Sequence, residues 1–216
     1  MKFMLIETGD SERLEMNRDN AEFWFDPICP WAWMTSRWIL EVTKVRPIDV
    51  KWNLFSLAHL NRDKELPEDY KSKLIKSWQT TRVIAGAQRM KGESITLPLY
   101  TAISSRIHIG KREVERSLFE EALSEIGLPI DLAKSAEDES LNQIVIESHE
   151  RGIKLVGNDV GTPIISVNGA AFFGPVISPA PKGEEAGKLW DGVVGVASYP
   201  GFFEIKRSRT VGPIFD

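Results

Sequence analysis

The chain has a single cysteine, Cys29, inside the run FWFDPICPWAWMTSRWILEV at residues 23–42. Aromatic strand residues precede it and helical spacing follows it, so its thiol is expected at a helix N-terminus. There it faces unpaired backbone N–H groups and the positive end of the helix dipole. Thiols so placed can have pKa values lowered to about 3.5–7.5, against about 8.5 for a free thiol, which makes a nucleophile at neutral pH. The competing reading is a small buried hydrophobe. Where a dithiol enzyme would carry its second cysteine this chain has Ala32. No internal thiol can then attack a mixed disulfide on Cys29, and an outside thiol must release it. Any redox cycle is monothiol, through Cys29–S–S–R or a sulfenic acid capped by a small thiol. Ala32 fits a natural C-x-x-A site and an introduced replacement of a resolving cysteine equally well.

Other residues have weaker claims. Thr162-Pro163 lies just ahead of an apolar strand, where proline is ordinarily a turn residue. Trp31 and Trp33 flank Ala32; Trp31 is assigned to the substrate-facing side and Trp33 to the core. Asp26, before Pro27, reads first as a turn former and second as a buried acid tuning the thiol. Of the three histidines, His108 in RIHIG is the best site candidate, although a solvated helix-end histidine is the general expectation; His59 and His149 have less support. One cysteine and three well-separated histidines show no metal-ligand spacing. No G-x-G-x-x-G or Walker motif indicates a nucleotide site. The tail EIKRSRT is locally basic, a solvated edge or a place for an anionic thiol or partner.

Positioning the thiol requires a scaffold, and the pattern supplies one. Residues 21–28 read as a strand, 31–45 as a helix opened by Pro30, and 49–58 as a second strand, together a βαβ unit. From 61 to 157 the periodicity is almost wholly helical, roughly five helices with one short. Strands return at 162–169 and 170–175 around Asn168-Gly169, a hairpin signal. A last helix follows Lys182-Gly183, and then a tail. The expected fold class is α/β, thioredoxin-like: a discontinuous domain of residues 21–60 and 158–216, an inserted helical domain over 61–157, and an N-terminal extension over 1–20 contributing a short strand or a loose segment.

Composition sets the frame. The chain has 216 residues, enough for a full core, with 42% hydrophobic and 27% charged residues, which argues against disorder. A net charge of -4 and a pI near 5.6 give no reason to expect nucleic acid or an anionic membrane as partner. The N-terminus is too weakly apolar for a signal peptide or a membrane span, and one cysteine cannot staple a secreted fold. A reducing cytoplasm is the expected compartment.

The motifs FWFDPICPWAWMTSRWILEV, SSRIH, VGTPIISVNG, AAFFGPV, GEEAGKLWD and ASYPGFFEIKR.RT, taken together, resemble the mycothiol-dependent nitroreductase group of DsbA-family proteins from about residue 21 to the C-terminus. The resemblance implies a DsbA-like thioredoxin fold, with Pro163 cis beside a nucleophilic Cys29. It also implies that Thr162 offers its backbone to substrate, and that Pro30, Trp31, Ala32 and His108 belong to the thiol-binding surface. It further implies a cytosolic enzyme using mycothiol, or a glutathione-like thiol, as co-substrate, served by a mycoredoxin or thioredoxin-type reductant and often homodimeric. Nitro or peroxide groups are candidate targets. The best-known members carry C-P-W-C, and Ala32 departs from them. FWFDPICPWAW is similar as well to the kappa-type glutathione transferases and 2-hydroxychromene-2-carboxylate isomerases, which use a bound thiol without net redox but usually place serine where Cys29 stands. A thioredoxin-like binding module with a vestigial cysteine is the third reading.

Overall fold

The computed structural model describes residues 18–215, and most of the expected N-terminal extension lies outside them. β1 (Asp19–Phe25), α1 (Pro30–Val42) and β2 (Ile48–Leu54) form the βαβ unit, its strands parallel with Phe23 opposite Trp52. β1 stops at Phe25 rather than at residue 28 because the Asp26 carboxylate accepts from Ile28 N at 3.1 Å and turns the chain. β2 stops at Leu54 rather than at 58 because the Ser56 hydroxyl accepts from His59 N at 3.1 Å, opening the short helix α2 (Leu57–Leu60).

The next stretch is helical throughout: α3 (Glu68–Lys91), α4 (Thr96–His108), α5 (Arg116–Glu125) and α6 (Asn142–Val156). Three 3-10 segments, Glu93–Ile95, Ile130–Glu137 and Glu139–Leu141, take the place of a fifth α-helix. β3 (Ile164–Val167) and β4 (Ala170–Phe173) complete a sheet of order β2-β1-β3-β4, with β3 antiparallel to both neighbours. Their turn has φ of 51° at Asn168 and 81° at Gly169, the two left-handed residues that a two-residue hairpin matched to strand twist requires. α7 (Gly183–Ala197) follows, and residues 202–215 have no regular secondary structure.

Alternation along β1 assigns its two faces. Ala21, Phe23 and Phe25 join the main core with α1, α3, α4, α5 and α7, while Trp24 points the other way into a smaller cluster with Phe55, Ile153 and Ile164. The sheet is thus covered on both sides, and α1 is anchored by Trp38, whose Nε1 donates to Ala186 O at 3.1 Å beneath Trp190. On the smaller side, α6 approaches so closely that a Cβ on Gly152 would lie 3.0 Å from the Trp24 ring. That ring cannot retreat: it is fully buried and its Nε1 donates to Ser148 O at 2.9 Å. Gly152→Val is therefore expected to destabilise the protein by about 1–3 kcal/mol, the usual cost of overpacking, read from the denaturation midpoint. An unchanged midpoint would mean that α6 does not depend on this close approach.

Candidate active site

The turn between β1 and α1 is built around a carboxylate shielded from water. Asp26 is fully buried, and its oxygens accept from Ile28 N, from Leu57 N at 2.7 Å and from the Ser77 hydroxyl. One side chain so ties the end of β1 to the start of α2 and to α3. Burial pushes its pKa up to about 6, although the Ser77, Leu57 and Ile28 donors each favour the charged form. Sequence reasoning ranked the turn role first; Asp26 performs both, and the D-P-x-C spacing was the available signal. The Pro27 carbonyl is fixed in turn by the Ser104 hydroxyl at 3.1 Å and by His108 Nε2 at 2.9 Å.

Cys29 is the N-cap of α1, with Pro30 in the first turn where a missing N–H costs nothing. Its Sγ accepts from Ala32 N at 3.4 Å and donates to Thr162 O at 3.4 Å. The Thr162-Pro163 peptide is cis, and the Thr162 hydroxyl donates to Trp24 O at 2.8 Å, holding this loop against β1. The expectation of a thiol acidified by its helix does not hold in this arrangement. Cys29 is only 7% exposed, and burial pushes its pKa up to about 12. The Ala32 and Trp31 N–H groups pull it down, and the charge of Asp26 raises it further. The helix end supplies the donors sequence reasoning foresaw, but loss of water outweighs them.

The remaining residues fall into two groups. Ala32, Thr162 and Pro163 are buried directly around the thiol, and Trp31 is half-buried while Trp33 lies in the core. His108 touches the Pro27 carbonyl rather than Sγ; burial pushes its pKa down to about 4, so it is a neutral donor and not a solvated helix-end cation. The C-terminal tail crosses this face. Arg209 places its guanidinium 5.0 Å from the Trp31 ring, and Phe215 stacks on His108 at 5.6 Å. The tail therefore touches two aromatic rings beside the Cys29 turn, a placement its basic composition alone did not reveal.

A second cluster joins residues that are remote in sequence. His59 and His149 are buried, and Glu150 accepts from His59 Nε2 at 2.9 Å; the three ligand atoms lie within 4.8 Å of one another. The donor set is nonetheless poorly arranged for a cation. Burial first, and then His59, push His149 down to about 4, and its Nδ1 accepts from Ser56 N at 3.3 Å, which puts its proton on Nε2. The lone pair a metal would need there is taken.

The same architecture occurs in the cytosolic disulfide reductase DsbM from Pseudomonas aeruginosa with GSH, at TM-score 0.54 and 14% identity, covering 82% of this chain and 99% of that one. It occurs also in the probable DsbA oxidoreductase SCO1869 from Streptomyces coelicolor, at TM-score 0.57 and 12% identity, covering 90% and 94%. By fold, this protein is of the DsbA-like class. Within that class the chain belongs to the Rv2466c-like family, described as mycothiol-dependent nitroreductase Rv2466c, whose model matches residues 28–207. It is 28% identical over 192 residues to a Mycobacterium tuberculosis relative named uncharacterized protein Rv2286c, spanning 88% of this chain and 82% of the relative.

Two outcomes are expected from this geometry. Above a pH of about 6 Asp26 carries a charge that opposes ionisation of Cys29. Alkylation by iodoacetamide should therefore climb with pH beyond 9 without levelling off, and Asp26→Asn should move the profile to lower pH; a wild-type plateau near neutrality would show that the helix end governs the thiol instead. Deleting residues 206–216 removes the contacts to Trp31 and His108 and is expected to speed the same alkylation several-fold. An unchanged rate would mean that the tail does not limit access.

Proposed function

We propose that the protein is a monothiol reductase in which Cys29 is the nucleophile and a low-molecular-weight thiol, mycothiol by the family's description, is the co-substrate. The observation that carries this reading is the position of Cys29 Sγ, at the N-cap of α1 and 3.4 Å from the Thr162 carbonyl beside cis Pro163. A disulfide laid along the Thr162 backbone replaces the Cys29–Thr162 contact, and the thiol proton leaves to solvent. The thiolate attacks one substrate sulfur, the S–S bond breaks, and the other half departs as a thiolate that takes up a proton. Mycothiol then attacks the mixed disulfide and releases Cys29, since Ala32 offers no internal thiol. Nitro reduction balances at the same site: Cys29 and one mycothiol together supply two electrons and two protons, converting nitro to nitroso plus water and leaving Cys29–S–S–mycothiol.

Roles follow for the neighbours. Pro163 and Thr162 shape the groove, Pro30 and Ala32 set the helix start that hydrogen-bonds the sulfur, and Trp31 is the aromatic wall. His108 acts as a positioning residue through the Pro27 carbonyl. The raised thiol pKa supports the reducing direction. A cysteine whose thiolate is poorly stabilised passes its electrons to a disulfide more readily than one whose thiolate is held.

That same protonated thiol favours a second reading, in which Cys29 only hydrogen-bonds the sulfur of a bound thiol during transfer or isomerisation. Mass spectrometry after treatment with hydrogen peroxide and mycothiol, on wild type and on Cys29→Ser, separates the two. The proposal expects one mycothiol adduct on Cys29, reversed by mycoredoxin, and loss of nitro or disulfide reduction in the serine variant. Retained turnover in Cys29→Ser without any adduct would replace it with the transferase reading.

A further inference from the structure

An open cleft of about 290 Å3 lies between the first turns of α3 and the chain leaving α4. Ile28, the residue next to Cys29, Ile107, next to His108, and Val114 form its apolar lining, and Lys73, Lys76, Lys111, Arg112 and Glu113 line the rest. Four cations and one carboxylate meet here in a chain whose overall charge is -4. Two are already matched: Lys76 pairs with Glu113, and Arg112 with Glu121 at 3.1 Å. Lys73 and Lys111 have no carboxylate partner among the described residues.

One observation ties the rim to the turn that carries the thiol. Lys73 lies one turn before Ser77 on α3, and the Ser77 hydroxyl donates to Asp26, three residues before Cys29. Lys111, where the chain leaves α4, has a φ of 52°.

We propose that this cleft is the subsite for the anionic end, a carboxylate or phosphate, of a small substrate whose reacting sulfur or nitro group meets Cys29. The inference rests on the reading of Cys29 as nucleophile and assigns that reading a substrate class. Lys73 and Lys111 supply the unmatched charge, while Ile28 and Ile107 accept the apolar part that joins the anionic end to the reacting group. Lys73 and Lys111 are specificity determinants and take no part in the bond changes.

The test compares two aryl disulfides that react with Cys29 by the same step, thiolate attack with release of an absorbing aryl thiolate. One is the dianionic dithiobis(nitrobenzoate) and the other the neutral dithiodipyridine. In the unaltered protein the anionic probe should lose its advantage as salt is raised. In Lys73→Gln/Lys111→Asn, where asparagine tolerates the left-handed backbone, the anionic-to-neutral rate ratio should fall by roughly threefold for each cation removed. The neutral rate should hold, and Lys154→Gln on α6 should leave the ratio unchanged. A ratio that survives the double substitution, or falls equally in the Lys154 variant, overturns the subsite while leaving Cys29 reactive. No reaction at Cys29 with either probe would overturn the nucleophile reading and the subsite with it.

Discussion

The buried carboxylate of Asp26 is the constraint on which the site depends. A charged group without water needs all of its hydrogen bonds met by protein, and Asp26 finds donors in the turn itself, at the start of α2 and on α3. Its backbone carbonyl also accepts from Cys29 N at 3.0 Å. The register of the turn, the entry of α1 and the seating of the helical segment on the sheet are therefore coupled through one residue. Moving any of these partners would leave a buried donor or acceptor unmatched, a penalty of about 1–3 kcal/mol each.

The chemistry of the thiol comes from two opposed effects at one sulfur. The first turn of α1 directs N–H groups at Cys29, which stabilises the thiolate, while enclosure by Ala32, Thr162 and Pro163 removes the water that would otherwise share that task. In the closed arrangement burial wins, and Asp26 adds to it. A protonated resting thiol is a weaker nucleophile than its thiolate.

The surroundings of the turn are asymmetric. Arg209 and Phe215 of the tail lie against Trp31 and His108, whereas Ile28 and Ile107 line the lysine-rimmed cleft. A cationic rim on a chain whose net charge is -4 raises the local concentration of anions without attracting polyanions to the whole molecule.

The sequence by itself determined much of this protein. The unbroken aromatic run Phe23-Trp24-Phe25 before Asp26-Pro27 dictates a strand, Asn168-Gly169 dictates a tight hairpin, and Pro30 after Cys29 dictates a helix start, because each rests on local backbone geometry or on residue pattern. Ala32 likewise removes any internal resolving thiol without reference to the fold. What only the tertiary structure decided is how charge behaves at the site. The helix end was legible, but the burial that overrides it comes from Thr162 and Pro163, more than a hundred residues away. The joining of Asp26 to Leu57 and Ser77, of His59 to Glu150, and of Arg209 to Trp31 was equally out of reach. Pattern reports which residues face inward, whereas the free energy of an ionised group depends on every atom that replaces its water, and those atoms are gathered from the whole chain.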